Sequence, residues 1–163
     1  MSATPDFTHL HVHSEYSLLD GMSSLEALME ETRRLGMDSI ALTDHGALYG
    51  VVQFVQEAKR HGIKPIIGVE TYVARRGMRD KEGKADQQPF HLVALATSAT
   101  GYRNLCRIVT DAHLDGLYYK PRTDHEHLAR HAEGLIGLSG CLNGEIARAL
   151  RSEEHTSELQ SRQ

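Results

Sequence analysis

Between Phe7 and Leu150 the chain alternates β-branched runs with amphipathic helical stretches, and few folds accept that alternation. Residues 7–13 read as a first strand. "SSLEALMEETRRLG" follows as a helix, opened by Ser23 and Glu26 in capping-box spacing and closed by Gly36. "DSIALTD" is an apolar strand ending at Asp44, and "LYGVVQFVQEAKRHG" a second helix stopped at Gly62. "KPIIGVETYV" is a third strand behind an entry proline, and "FHLVALA" a fourth. "TGYRNLCRIVTDAHLDG" is a third helix and "TDHEHLARHAEG" a short one. "LIGLSG" makes a fifth strand, and "LNGEIARAL" starts a last helix. Strand–helix units with short connections predict a parallel sheet with helices packed on it, as a barrel or an open doubly wound sheet. Residues 75–89, "RRGMRDKEGKADQQP", interrupt the pattern and are expected to form a mobile loop that leaves Arg75, Arg76, Arg79 and Lys81 in solvent.

The first strand carries an anomaly. His9, His11 and His13 alternate in "HLHVH", so they share one face of an extended segment. A core strand would place Val, Ile or Leu there. Other polar residues also fall just after apolar runs: Asp44 with His45, Glu70, and Cys141. In β/α barrels and open α/β sheets alike, active sites gather at the carboxyl ends of strands. His91 is the exception, because it precedes its apolar run and a parallel strand would carry it to the opposite end.

Composition narrows the chemistry. The 163 residues suffice for one core, and 11 histidines are an excess that raises the expectation of metal binding. A net charge of −4 provides no overall basic footprint for nucleic acid, so any such contact must be local. No apolar run approaches the roughly 18 residues of a membrane span, and no secretory signal opens the chain, so the expected location is the cytoplasm. Cys106 and Cys141 do not make a disulfide framework, and Cys106 reads as a small core residue.

Taken together, His11, His13, Asp20, Asp44, His45, Glu70, His91 and Cys141 form a donor set of imidazole, carboxylate and thiolate. Zn²⁺ or Mn²⁺ suits such a set, whereas a hard Mg²⁺ or Ca²⁺ site would be all oxygen. A lone histidine at a strand end is more often a hydrogen-bonded structural residue. The combination resists that explanation, since unpaired buried carboxylates and imidazoles each cost several kcal/mol. A cysteine-hydrolase reading of Cys141 is disfavoured, because "GCLNG" sets no histidine base beside it in sequence.

"HLHVHSEYSLLDG", "ALTDHGALYG", "IKPIIGVETYV", "HLVALA" with "TGYRNL", and "YYKPR" leading to "EGLIGLSGCLNGE" resemble the PHP (polymerase and histidinol phosphatase) family. They are most similar to its branch at the N-terminus of bacterial replicative DNA polymerase III alpha subunits. The resemblance implies a distorted (β/α)7 barrel, truncated here to about its first five β/α units, holding up to three Zn²⁺ or Mn²⁺ ions. It places the ligands on His11, His13, Asp20, His45, Glu70, His91 and Cys141. Asp44 is expected to orient His45, with His9 a bystander. The family's downstream Asp-x-His pair has no match before Leu150, and Asp111 to His113, within a helical segment, is not a substitute for it.

The implied activity is metal-dependent phosphoester hydrolysis by an activated water, serving 3′–5′ exonuclease proofreading in a DNA-directed DNA polymerase. This part of the chain alone is expected to be inactive. The implied partners are DNA, with Lys120 and Arg122 as candidate contacts beside Tyr118 and Tyr119, and replisome subunits such as the sliding clamp and proofreading subunit. No membrane is involved. Two other readings stand beside it: a metal-stapled structural module supporting the polymerase, and a stand-alone phosphatase of small phosphate monoesters. Residues 1–150 are expected to be a partial PHP domain. Residues 151–163, "RSEEHTSELQSRQ", lose the apolar period, resemble a translated sequencing adapter and are expected to be a non-native, disordered tail.

Overall fold

The computed structural model describes residues 7–18 and 20–151. The expected tail beyond Arg151 lies outside the described residues. Helix α1 (Leu25–Arg34) is capped by Ser24, whose hydroxyl accepts from the Ala27 N–H at 3.2 Å. The cap is therefore Ser24 and not Ser23, one residue later than the capping-box spacing suggested. Gly36, at φ 74°, turns the chain out of the helix as expected. Strand β1 (Ser39–Leu42) follows, then α2 (Val51–His61), ended by Gly62 in the left-handed region at φ 68°. Leu25 and Met29 of α1 and Phe54 and Ala58 of α2 pack on Ile40 and Leu42 in one buried cluster. Full burial of each large side chain there contributes roughly 1.5–3 kcal/mol.

Strand β2 (Lys64–Val73) is the spine of the sheet. Its first half pairs parallel with β1, and its second half pairs antiparallel with β3 (Phe90–Ala96). β3 pairs antiparallel with β5 (Leu135–Leu138), and the two-residue β4 (Arg122–Thr123) lies parallel to the end of β2. The sheet is thus α/β but mixed, which corrects the all-parallel expectation. A parallel neighbour needs a long crossover, usually a helix. Between β2 and β3 there is only a single helical turn, α3 (Gly83–Asp86), so β3 runs back alongside β2.

Residues 7–13 are extended without forming a strand. They run beside β1 through bonds from Ala41 N to the His9 carbonyl and from Thr43 N to the Val12 carbonyl, both below 3 Å. Helix α4 (Ala99–Leu114) is capped by Ser98 and buries Leu105 against Val69 and Ala94. Helix α5 (His125–Arg130) is capped by Asp124, and residues 145–151 are again helical. Cys106 is only half-buried.

The stretch from Arg75 to Pro89 is tied down. Arg76 pairs with the fully buried Asp86 carboxylate at 2.5 Å, and Arg79 with Asp115 at 2.6 Å. Arg75 donates to the Gln88 carbonyl and lies over the Phe90 ring. Met78 is buried. Local polarity masked these anchors, because each partner is distant in sequence or supplied by the backbone.

Candidate metal centre

Alternation along β2 turns Glu70 and Tyr72 to the same face. Glu70 is 1% exposed, and its carboxylate is the hub of the site. His11 Nε2 and His13 Nε2 each lie 2.9 Å from Glu70 Oε2, and His91 Nδ1 lies 2.6 Å from Oε1. His45 Nδ1 comes within 3.3 Å of Oε2 but is misaligned for a hydrogen bond. His45 Nε2 bonds Asp20 Oδ2 at 2.8 Å, and Cys141 Sγ stands 3.6 Å from His91 Nδ1. The structure therefore brings His11, His13, Asp20, His45, Glu70, His91 and Cys141 into one group. His9 stands aside, exposed, its ring edge-on to Phe7.

His91 reaches the group because β3 is antiparallel. Its position pairs with Tyr72, so the start of β3 lies at the same rim as the end of β2. The loop after β5 then folds over it, with His91 N donating to the Asn143 carbonyl at 3.3 Å and Cys141 alongside. Tyr72 adds a wall that sequence reasoning passed over: its ring stacks on His45 at 5.9 Å and meets His91 edge-on at 5.2 Å. Its spacing of two from Glu70 was the available signal.

Asp44 does not touch the His45 ring, and its link to His45 is indirect. Its buried carboxylate accepts from Ser14 N at 2.7 Å, from Ser14 Oγ at 2.9 Å and from Ser17 Oγ at 2.8 Å. Ser17 Oγ accepts in turn from the His45 backbone N–H at 3.2 Å. Asp44 thus holds the turn that presents Asp20, and acts on the backbone of His45 through a hydroxyl. Ser14 and Ser17 had no periodic or spacing signature that marked them out.

The electrostatics follow from this crowding. Burial works to raise the Glu70 pKa, but hydrogen bonds from His13, His91 and His11, together with the nearby His45 charge, outweigh it and hold the carboxylate far below its usual range. His13 is raised above the ordinary imidazole value, first by its hydrogen bond to Glu70 and against its own burial. Burial, then the Glu70 and Asp20 charges, push the Tyr72 hydroxyl up to about 12.

The donor set fits the ions that the resemblance implies. Glu70 does not satisfy all four imidazoles: among the described residues the buried Nδ1 atoms of His13 and His45 have no hydrogen-bond partner. The His13 and His45 rings even stack at 4.1 Å. Nitrogen, oxygen and sulfur donors occur together here, in the sets His11–His13–Glu70 and Glu70–His91–Cys141.

Beside the group lies a cavity of about 500 Å³ whose walls include Tyr16, Tyr49, Tyr72, His113 and Lys120. The Lys120 ammonium sits 5.3 Å from the centre of the Tyr72 ring. Arg122, by contrast, is no surface contact for nucleic acid. It is 0% exposed and donates to the Gly116, Asp86, Met78 and Asp80 carbonyls, so its charge is used to close the 75–89 segment onto β4. Tyr119 is exposed at a positive φ of 59°.

A family model described as PHP domain matches residues 9–162. The DNA polymerase III subunit alpha of Treponema pallidum is 48% identical over 160 residues, spanning 94% of this chain and 14% of that protein. The corresponding subunit of Borreliella burgdorferi is 42% identical over 163 residues, spanning 98% of this chain and 14% of that protein. The chain thus covers a small part of the relatives it matches. An amidohydrolase from Chromobacterium violaceum, solved with bound sulfate, superposes on 66% of this chain and 33% of its own, at a TM-score of 0.49 and 23% identity. That likeness is too distant to bear on function.

Proposed function

The chain belongs to the PHP-domain family, and from that premise we propose that the Glu70 group is a multinuclear metal site that hydrolyses phosphoesters. One observation carries the reading: four imidazoles converge on one buried carboxylate while, among the described residues, buried ring nitrogens of His13 and His45 have no hydrogen-bond partner. His11, His13 and Glu70 would hold one ion, and Glu70, His91 and Cys141 a second. His45 and Asp20 supply donors for a third. Zinc or manganese suits this mixture of donors.

When bound, such ions acidify a water and hold the oxygens of an in-line phosphoryl displacement. The protein's own residues do the positioning. Glu70 separates the two donor sets with its two oxygens, and Asp44 steadies the turn at Ser14 and Ser17. Tyr72 walls the adjoining cavity, and Lys120 places a cation there for a phosphate oxygen.

The relatives' identity directs the reading to a replicative DNA polymerase III alpha subunit, with the 3′ end of a DNA strand as substrate. Water adds its oxygen to phosphorus, the P–O3′ bond breaks, and one proton of the water ends on the 3′ oxygen. A nucleoside 5′-monophosphate and a shortened strand result. DNA, the sliding clamp and the proofreading subunit are the partners this reading implies, and the cytoplasm its location. A structural role for the ions draws support from one fact, that the group ties together five separate chain segments.

Elemental analysis of protein purified without chelator or His tag tests the proposal, paired with release of mononucleotides from single-stranded DNA by the full-length protein. About two to three equivalents of zinc or manganese, lost in His13→Ala together with the nuclease activity, support it. Full metal loading without cleavage leaves only the structural role. A well-folded chain without metal overturns both.

A further inference from the structure

Helices α4 and α5 bring together a second set of ligating side chains, which contributes no donor to the Glu70 group. Asp111 Oδ2 stands 2.9 Å from His127 Nε2. A His131 ring nitrogen completes a set whose ligand atoms all lie within 4.8 Å of one another. His127 and His131 are four residues apart at the end of α5, which puts both on one side of the turn.

The set is built, not incidental. His127 is 3% exposed, and Thr123 Oγ1 lies 3.2 Å from its Nδ1. The hydroxyl holds the ring rotation and leaves Nε2 as the atom facing Asp111, just as a polar partner on the far nitrogen orients a ligating histidine. The backbone is held as well, with His127 N donating to Asp124 Oδ1 at 2.8 Å and Met78 N donating to Asp124 Oδ2 at 2.9 Å. An Asp–His ion pair accounts for Asp111 and His127 alone. It leaves unexplained the third donor: the His131 ring meets His127 edge-on at 4.7 Å and has no hydrogen-bond partner among the described residues.

The surroundings tolerate a cation. The set opens on a cleft of about 590 Å³, with space for water to complete a coordination sphere. Two guanidiniums on its rim are already paired, Arg79 with Asp115 at 2.6 Å and Arg130 with Glu126 at 3.5 Å. Arg107 is the remaining positive charge on that rim.

We propose that Asp111, His127 and His131 form a second, separate site for a transition-metal ion of the zinc type, which pins α5 to α4. Two imidazoles, one carboxylate and a water make an ordinary four-coordinate zinc sphere. The site differs from the Glu70 group in lacking sulfur and any shared residue, so the two can be read independently.

The test is equilibrium dialysis of the full chain against zinc, with wild type, His131→Ala and Asp111→Asn compared by elemental analysis. His131 is half-buried and Asn keeps an oxygen for His127, so both variants are expected to retain the wild-type far-UV circular dichroism. Each variant should bind one zinc fewer than wild type, or bind that zinc on the order of 100-fold more weakly. In wild type, zinc should also shift the His127 and His131 imidazole NMR resonances. If the Glu70 group binds nothing, wild type still carries one zinc and the variants none. Unchanged stoichiometry and affinity in both variants, or imidazole resonances indifferent to zinc, would overturn the proposal.

Discussion

Arg122→Lys keeps a positive charge and removes a fork. The arginine Nε donates to Gly116 O at 3.1 Å, Nη1 to Asp86 O at 3.0 Å, and Nη2 to Met78 O at 2.9 Å and Asp80 O at 2.8 Å. These carbonyls come from the two sides of the closed 75–89 segment and from the turn after α4. A lysine ammonium is a single donor centre on a flexible stem and cannot face all of them. At least two carbonyls lose their partner. Each buried acceptor left unmade costs about 1–3 kcal/mol, and water entering the space recovers part, so the expected loss is about 2–4 kcal/mol. Arg122→Ala, which frees all four, should lose about 3–5 kcal/mol. Against a domain stability of about 5–15 kcal/mol either change is large.

Urea unfolding of the zinc-saturated chain, followed by far-UV circular dichroism, reads this directly. With a slope of about 2 kcal/mol per molar, the Arg122→Lys midpoint should fall by roughly 1–2 M. Under conditions where the variant is folded, DNA affinity at fixed salt should match wild type. An unchanged midpoint combined with a loss of DNA affinity would refute the burial argument and return Arg122 to the nucleic-acid surface.

Three further outcomes follow from the geometry. In chelator-treated protein the Glu70 contribution to stability is present above its usual 4.5 and lost as pH falls through its depressed folded value, while that of His13 is complete below its usual 6.5 and lost as pH rises through its raised one. The melting temperature without metal should therefore peak between those two values and move to higher pH on adding zinc, since ligands must shed protons; a metal-free maximum well above neutrality would contradict this. Gly101→Ala places a Cβ 1.9 Å from the Gly134 carbonyl oxygen, so thermal melts should show a loss of about 1–3 kcal/mol, whereas Gly137→Ala, with nothing within 4 Å, should sit near wild type. Asp44→Asn turns one of its acceptor positions into a donor facing Ser14 or Ser17, and zinc competition should show binding at the Glu70 group weakened about 10–100-fold although no proposed ligand has changed.

Much of this protein is written in short-range pattern. The helices lie within a few residues of where apolar spacing and the stop glycines put them, because amphipathic period and backbone freedom are local properties. The period-two alternation of His11 and His13 likewise sufficed to turn both rings to one side, and it turns Glu70 and Tyr72 together as well. Strand direction is another matter. "FHLVALA" has the same apolar run whichever way it pairs, and only the missing crossover helix before it hinted at the antiparallel course that carries His91 to Glu70. Charge was equally ambiguous. "YYKPR" reads as two basic residues on a loop, yet Lys120 borders a cavity while Arg122 vanishes among backbone carbonyls 6 to 44 positions away. Asp111, His127 and His131 meet for the same reason. Their meeting depends on how α4 and α5 pack, and packing joins residues whose separation along the chain leaves no periodic trace.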